Sequence, residues 1–336
     1  MKSPIILPME YPIITLYPMT ANAVSIISNN LSETYPWLLN NFLQLLSWRS
    51  DALEGRLIIR YSDSWTFYKN CPFLGHQKIN KKFIKSKWNG SIFDFIIDSI
   101  SQGYYVYLYV NTLYISAYRP SRDRPHDLFI YGYDYAQKLF YIADNLNYGK
   151  YTYATCTFQE LIDAINSLSE KDENINHFDN SIILLNYQSN CESSFELNTV
   201  VDGIKAYLSS RAFKDVEHPN ALYGISVYNN MNIYLSHLEK NQARADIRPF
   251  HALWEHKSMM LMRIRYMYDN KMLIDAEKSI KALTSLVDDA LLHRNLILKY
   301  NFTMKKEILK TIANKIIQNK QKEVLVLRQV LRNIRN

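Results

Sequence analysis

His126 and Asp144 are the two side chains around which chemistry could be built in this chain. They bracket the stretch HDLFIYGYDYAQKLFYIAD. Its two halves are aromatic-rich and β-favouring, and the polar residues 134–138 lie between them, which is the pattern of a β-hairpin. If residues 128–133 pair antiparallel with residues 139–143, His126 opens one strand and Asp144 closes the other, at the same end. A carboxylate beside an imidazole is the orienting half of a catalytic triad: the acid fixes the base, and the base activates a nucleophile. The nucleophile must then come from another part of the chain.

Three cysteines are available, Cys71, Cys156 and Cys191. Their number is odd and none has CxxC spacing, so they suggest neither a disulfide framework nor a zinc site. Cys71 lies in NCPFLGHQ, five residues before His76, inside a stretch that reads as a long loop. Cys156 stands just before a capping box and reads as a small buried side chain. In HALWEHK, His251 and Glu255 share a helical face, but the HxxxEH spacing leaves His256 off it. That spacing matches no zinc-peptidase signature and reads as a polar network within a helical bundle, with Lys257 or Arg263 as counter-charges. No metal and no cofactor is expected.

Composition limits the function classes. With 336 residues, 48% of them hydrophobic and only 8 Gly and 10 Pro, the chain can bury a sizeable core in two domains. No apolar run approaches the roughly 18 residues of a membrane span. The proline-punctuated start MKSPIILPMEYPIITLYP lacks the continuous apolar stretch of a secretion signal, so a cytoplasmic protein is expected. The net charge of +7 is local: residues 301–336 hold nine Lys or Arg against two Glu, and the rest of the chain sums to zero. Leu309, Ile312, Ile316, Leu327, Leu331 and Ile334 recur there at mostly helical spacings, which describes a packed amphipathic helix. The segment has no aromatic residue beyond Phe302, so nucleic-acid binding is not expected; a docking face for an acidic protein is the other reading.

In chain order, an extended arm leads to a helix over residues 20–30 with Thr20 as N-cap. A second helix is expected after Pro36, along WLLNNFLQLLSW, followed by a short strand over residues 57–61. Residues 62–90 read as an irregular, lysine-rich excursion. Ser91 caps a helix ending at Gly103. Two strands follow, residues 104–110 and 113–118, and the loop RPSRDRP leads into His126. Thr157 and Glu160 form a capping box ahead of a helix over residues 158–168, and residues 182–187 read as a strand. The composition turns polar between residues 167 and 198, where the domain boundary is placed. Helices are expected over residues 195–213, 221–239, 249–268, 273–298 and 303–333, an all-helical bundle. The fold class is α+β: residues 1–190 form an α+β domain and residues 191–336 a helical one.

HDLFIYGYD followed by FYIADN resembles the His-strand and Asp-strand of papain-like cysteine peptidases, in particular the peptidase domains of bacteriocin-exporting transporters. The whole chain, with LYGISVYNNM and LWEHKSMMLMRIRYM in its helical half, resembles the butirosin-biosynthesis protein H family. The resemblance implies a papain-like fold for the first domain and a place in antibiotic or non-ribosomal peptide biosynthesis. It also implies acyl transfer from a carrier protein to an amine, through a cysteine thioester by analogy. His126 matches the base and Asp144 its orienter. The cysteine slot at the start of the first helix, in YPMTANAVSII, falls on Met19 or, one register on, Thr20. The position six residues upstream, where related peptidases have an oxyanion-binding Gln, holds Ile13 or Ile14. Thr20 as a hydroxyl nucleophile and Cys71 as a substitute thiol are the remaining candidates. The implied partners are an acyl or peptidyl carrier protein and a small amine or peptide intermediate, with a second copy of the chain left open. Two readings stand: a transferase or peptidase, and a catalytically silent papain-like protein that binds a pathway partner.

Overall fold

A computed structural model of the chain describes residues 3–64, 66–119, 124–147, 149–168, 180–214 and 217–335. Much of the loop RPSRDRP and all of the polar run at residues 169–179 lie outside them. The described chain is α+β. It divides into two compact units, Met1–Thr34 with Thr66–Glu192, and Tyr35–Trp65 with Ser193–Asn336. The second break falls close to the boundary expected near residue 190, but residues 35–65 belong with the C-terminal unit.

The first unit begins with β1 (Ile5–Ile6) and α1 (Pro18–Ser28). The N-cap of α1 is Tyr17, not Thr20, and it makes no side-chain capping bond. Pro18 accounts for the earlier start, because its fixed φ and missing N–H suit the first helical position. Helix α2 (Leu31–Leu38) crosses the break between the units and carries Pro36 inside it. Residues 45–48, expected to be helical, instead form β2 (Leu45–Trp48), followed by α3 (Arg49–Leu53) and β3 (Arg60–Tyr61).

The lysine-rich stretch is also more regular than expected. It holds α4 (Phe67–Asn70), β4 (Leu74–Asn80) and α5 (Lys81–Lys87), the last capped by the Asn80 side chain. Helix α6 (Ile92–Ser101) starts where Ser91 Oγ accepts from the Asp94 N–H. It is followed by β5 (Tyr105–Asn111), whose seven residues are all buried. The strand expected over residues 113–118 is absent, and two 3-10 turns, Thr112–Tyr114 and Ser116–Tyr118, occupy the stretch. Asn111 accounts for this: its side-chain oxygen accepts from the Leu113 N–H (3.1 Å) and the Arg124 N–H (3.3 Å), ending the ladder locally.

The hairpin is β6 (Pro125–Asp134) and β7 (Leu139–Asn147), joined by a turn in which Asp134 Oδ1 accepts from the N–H groups of Ala136 and Gln137. A bulge interrupts the ladder between Ile130 and Gly132, where β1 adds on. Gly132 permits that approach, since a Cβ there would meet the Ile5 carbonyl oxygen at 2.6 Å. Strand β8 (Lys150–Thr157), absent from the sequence reading, pairs along the far side of β7. The capping box of Thr157 and Glu160 then opens α7 (Phe158–Asn166), and β9 (Ser181–Tyr187) completes the sheet. Seven strands are ordered β4-β9-β5-β6-β7-β8 with β1 on β6, all antiparallel. Val106, Leu108, Val110, Leu128, Ile130 and Ile142 pack with α6 and α7 residues Phe95, Ile96, Leu161 and Ala164 into one core.

The second unit contains α8 (Leu197–Leu208), β10 (Ala221–Tyr223), α9 (Val227–Glu239), α10 (Arg248–Asp269), α11 (Glu277–Thr303) and α12 (Lys306–Arg332). It is not all-helical, because β10, β2 and β3 form a small antiparallel sheet. Arg263 anchors the early segment: its guanidinium is fully buried and donates to the carbonyls of Leu39 and Asn41, each at 2.6 Å. The basic tail is a packed helix, with Leu309, Ile312, Ile316, Leu327 and Val330 on its buried side.

Candidate active site

Antiparallel pairing places Phe129 opposite Ala143 and Ile130 opposite Ile142, which brings the start of β6 beside the end of β7. His126 and Asp144 meet there, with His126 Nδ1 3.4 Å from Asp144 Oδ2. The Asp144 side chain is 1% exposed. Its Oδ1 accepts from the N–H of Asn145 at 2.6 Å, and its Oδ2 accepts the hydroxyl of Tyr118. Tyr118 comes from the 3-10 turn that replaces the expected strand. That turn is held to α7, since Glu160 Oε1 accepts from the Ser116 N–H at 3.0 Å while Oε2 accepts from the Thr157 N–H at 2.6 Å.

Asp127 is a second acidic member that sequence reasoning missed. Successive residues of a strand point to opposite faces, so a neighbour of His126 has no obvious claim on its imidazole. At the strand's opening, however, His126 Nδ1 lies 2.8 Å from the Asp127 carbonyl oxygen and 3.3 Å from Asp127 Oδ1. The hydroxyl of Tyr107 donates to the other carboxyl oxygen of Asp127. An acidic residue next to a candidate base was the only sequence signal for this, and it is a weak one.

Burial alone would lower the His126 pKa, but the hydrogen bond and charge of Asp144 outweigh it and leave the value raised. Burial pushes the Asp127 carboxyl up to about 7, and the neighbouring Asp144 charge adds to the effect. The Tyr118 hydroxyl is raised well above its ordinary value by burial and then by Asp144. Because Nδ1 faces carbonyl and carboxylates, Nε2 is the nitrogen left to exchange a proton with a substrate or nucleophile, as in a triad.

The nucleophile candidates are placed as follows. Met19 and Thr20 are the second and third residues of α1, and both are buried, at 6% and 2% exposure. Met19 lines a small apolar cavity with Asn22, Tyr68, Tyr107 and Phe129. Tyr107 thus joins the Met19 slot to Asp127, and Asp127 joins it to His126. Cys71 follows α4 at 3% exposure, with its thiol pushed up to about 12 by burial. It would be protonated at neutral pH. Cys156, at 1% exposure, is raised further by burial.

The His251–Glu255 pair forms, with Nε2 3.0 Å from Oε1, and Arg294 approaches His251 Nδ1 at 2.9 Å. Beside it, Lys257 and Glu323 make a fully buried ion pair at 2.5 Å, in contact with Tyr207, Tyr228 and His256. Among the described residues no group of three or more His, Cys, Asp or Glu side chains is arranged to hold a metal ion. No described helix is long and apolar enough to cross a membrane. In comparisons with known proteins, no family model and no curated protein matches the chain.

Proposed function

We propose that the first unit is a papain-like domain that has lost its nucleophile and binds, without turning over, a carrier-bound acyl or peptidyl intermediate of antibiotic or non-ribosomal peptide biosynthesis. The observation that carries this is the buried Met19 at the helix start, where the resemblance calls for a cysteine. One further feature agrees with it. The Cys71 thiol is buried and held protonated. The pKa of His126 is raised by Asp144, as an orienting carboxylate does in working and silent sites alike, so it favours neither reading.

One observation favours the second reading, acyl transfer with His126 as base, Asp144 as orienter and Thr20 or Cys71 as acceptor. The His126–Asp144 contact at 3.4 Å leaves Nε2 available for proton transfer. Intact-protein mass spectrometry after incubation with acyl-loaded carrier protein separates the two. The silent reading expects carrier binding with no mass increase in the natural chain, and a covalent adduct in Met19→Cys. An adduct on the natural chain that disappears in His126→Ala would overturn it in favour of transfer. An adduct lost in Cys71→Ser would name Cys71 as the acceptor, and one that persists there would direct the mapping to Thr20.

A further inference from the structure

At the other end of β5 from His126 the first unit has a cleft that nothing above uses. Tyr105 opens β5, whereas Val110, near its far end, pairs with His126. The two ends are separated by roughly 17 Å at about 3.4 Å per residue. The cleft has a volume of about 350 Å³ and is bounded by the C-terminal ends of α1 and α6 and by the last residues of β9.

Its lining has a definite chemistry. Four carboxamides, Asn29, Asn30, Gln102 and Asn186, line it together with Tyr104, Tyr105 and Tyr187. No Asp, Glu, Lys or Arg is among the lining residues. Among the described residues, none of the four carboxamide side chains makes a hydrogen bond within the protein. Two of the tyrosine hydroxyls are already engaged: Tyr105 donates to the Pro8 carbonyl oxygen at 2.5 Å and Tyr187 to Glu33 Oε2 at 3.3 Å. These tyrosines therefore offer ring surface more than a free hydroxyl.

A carboxamide both donates and accepts, which is what a hydroxyl group requires of its partner. An anionic ligand group would enter this cleft without a counter-charge, and a cation would find only the Glu33 carboxylate, which already accepts the Tyr187 hydroxyl. The C-terminal ends of α1 and α6 bring partial negative charge here and the N-terminal end of α2, which starts after Asn30, brings partial positive charge, so neither sign of ligand is favoured. We propose that this cleft is a binding site for a neutral polyhydroxylated ligand of saccharide type, with Asn186 and Gln102 bonding its hydroxyls and tyrosine rings covering its apolar C–H faces.

The test uses the full chain and saturation-transfer NMR with methyl glucoside and N-acetylglucosamine as neutral probes, and putrescine and citrate as charged ones. Transfer to a neutral probe is expected, with affinity in the millimolar range that is insensitive to salt. Asn186→Ala and Gln102→Ala should each weaken it roughly tenfold, the loss of one hydrogen bond of ordinary strength. Both positions lie at the surface, and Asn186→Asp, which keeps the size but adds a charge, should weaken binding at neutral pH as well. Absence of transfer to both neutral probes at about 50 mM would overturn the proposal. So would equal binding by the natural chain and both alanine variants, or a preference for putrescine or citrate that salt abolishes.

Discussion

Replacing Asp127 with Asn should change how the stability of the first unit responds to pH. In the folded protein the Asp127 carboxyl titrates near about 7, against an ordinary value of 3.8. Burial is the larger cause and the Asp144 charge the second. The gap of roughly three units corresponds to at most about 4 kcal/mol. With 21% of the side chain exposed, solvent screening reduces this to roughly 2–3 kcal/mol. A carboxyl raised on folding is protonated in the native state while it is ionised in the unfolded chain. The unfolded state therefore binds fewer protons between pH of about 4 and 7, and stability falls as pH rises through that window. His126 acts in the same direction: its folded value is raised above 6.5, so its contribution is complete below 6.5 and is lost as pH rises through the folded value. Asn at position 127 removes the first effect and can still accept the Tyr107 hydroxyl. Urea unfolding at about pH 5 and about pH 8, which spans a little over half of that window, should show the natural chain losing roughly 1–2 kcal/mol more than the variant. A carbon-13 titration of the Asp127 carboxyl should place its midpoint near neutrality. Identical pH slopes for the two proteins, or a midpoint near 4, would refute the account of this site.

In the second unit, Glu323→Ala should cost about 3–5 kcal/mol, because it strands the buried Lys257 ammonium; thermal unfolding should show it, and Lys257→Met with Glu323→Leu should recover most of the loss. Lys257 has its pKa lowered, first by burial, despite Glu323, so its contribution makes stability rise with pH between the folded value and 10.5; this alkaline slope should vanish in the double variant. Gly224→Ala should destabilise by about 3 kcal/mol or more, since Gly224 has φ +55° and a Cβ there would overlap the Tyr207 backbone; a melting midpoint within a degree or so of the natural chain would contradict that.

Some features of this protein are local enough for the sequence to determine. The Ser91 cap and the Thr157–Glu160 capping box form as their spacing requires, because each partner lies within one turn of the other. The hairpin from His126 to Asp144 is equally local: one turn fixes its register, and the register brings the two side chains together. The long helices α10, α11 and α12 follow from sustained apolar periodicity.

The tertiary structure decided what depends on distant partners. Residues 45–48 are a short apolar run that periodicity cannot assign to helix or strand, and pairing with β3 and with the distant β10 makes them a strand. The residues just before them are tied to the C-terminal unit by Arg263, which donates to the carbonyls of Leu39 and Asn41 from more than two hundred residues away in the chain. Glu323 sits among the apolar positions of an amphipathic helix, and only contacts from α9 and α10 explain a buried charge there. At the candidate site the sequence determined the pair His126 and Asp144, whereas Asp127, Tyr107 and Tyr118 were added by a strand opening, a neighbouring strand and a 3-10 turn. Hydrogen-bond partners within one turn or one hairpin are set by spacing; partners on separate elements are set by how those elements bury their apolar faces.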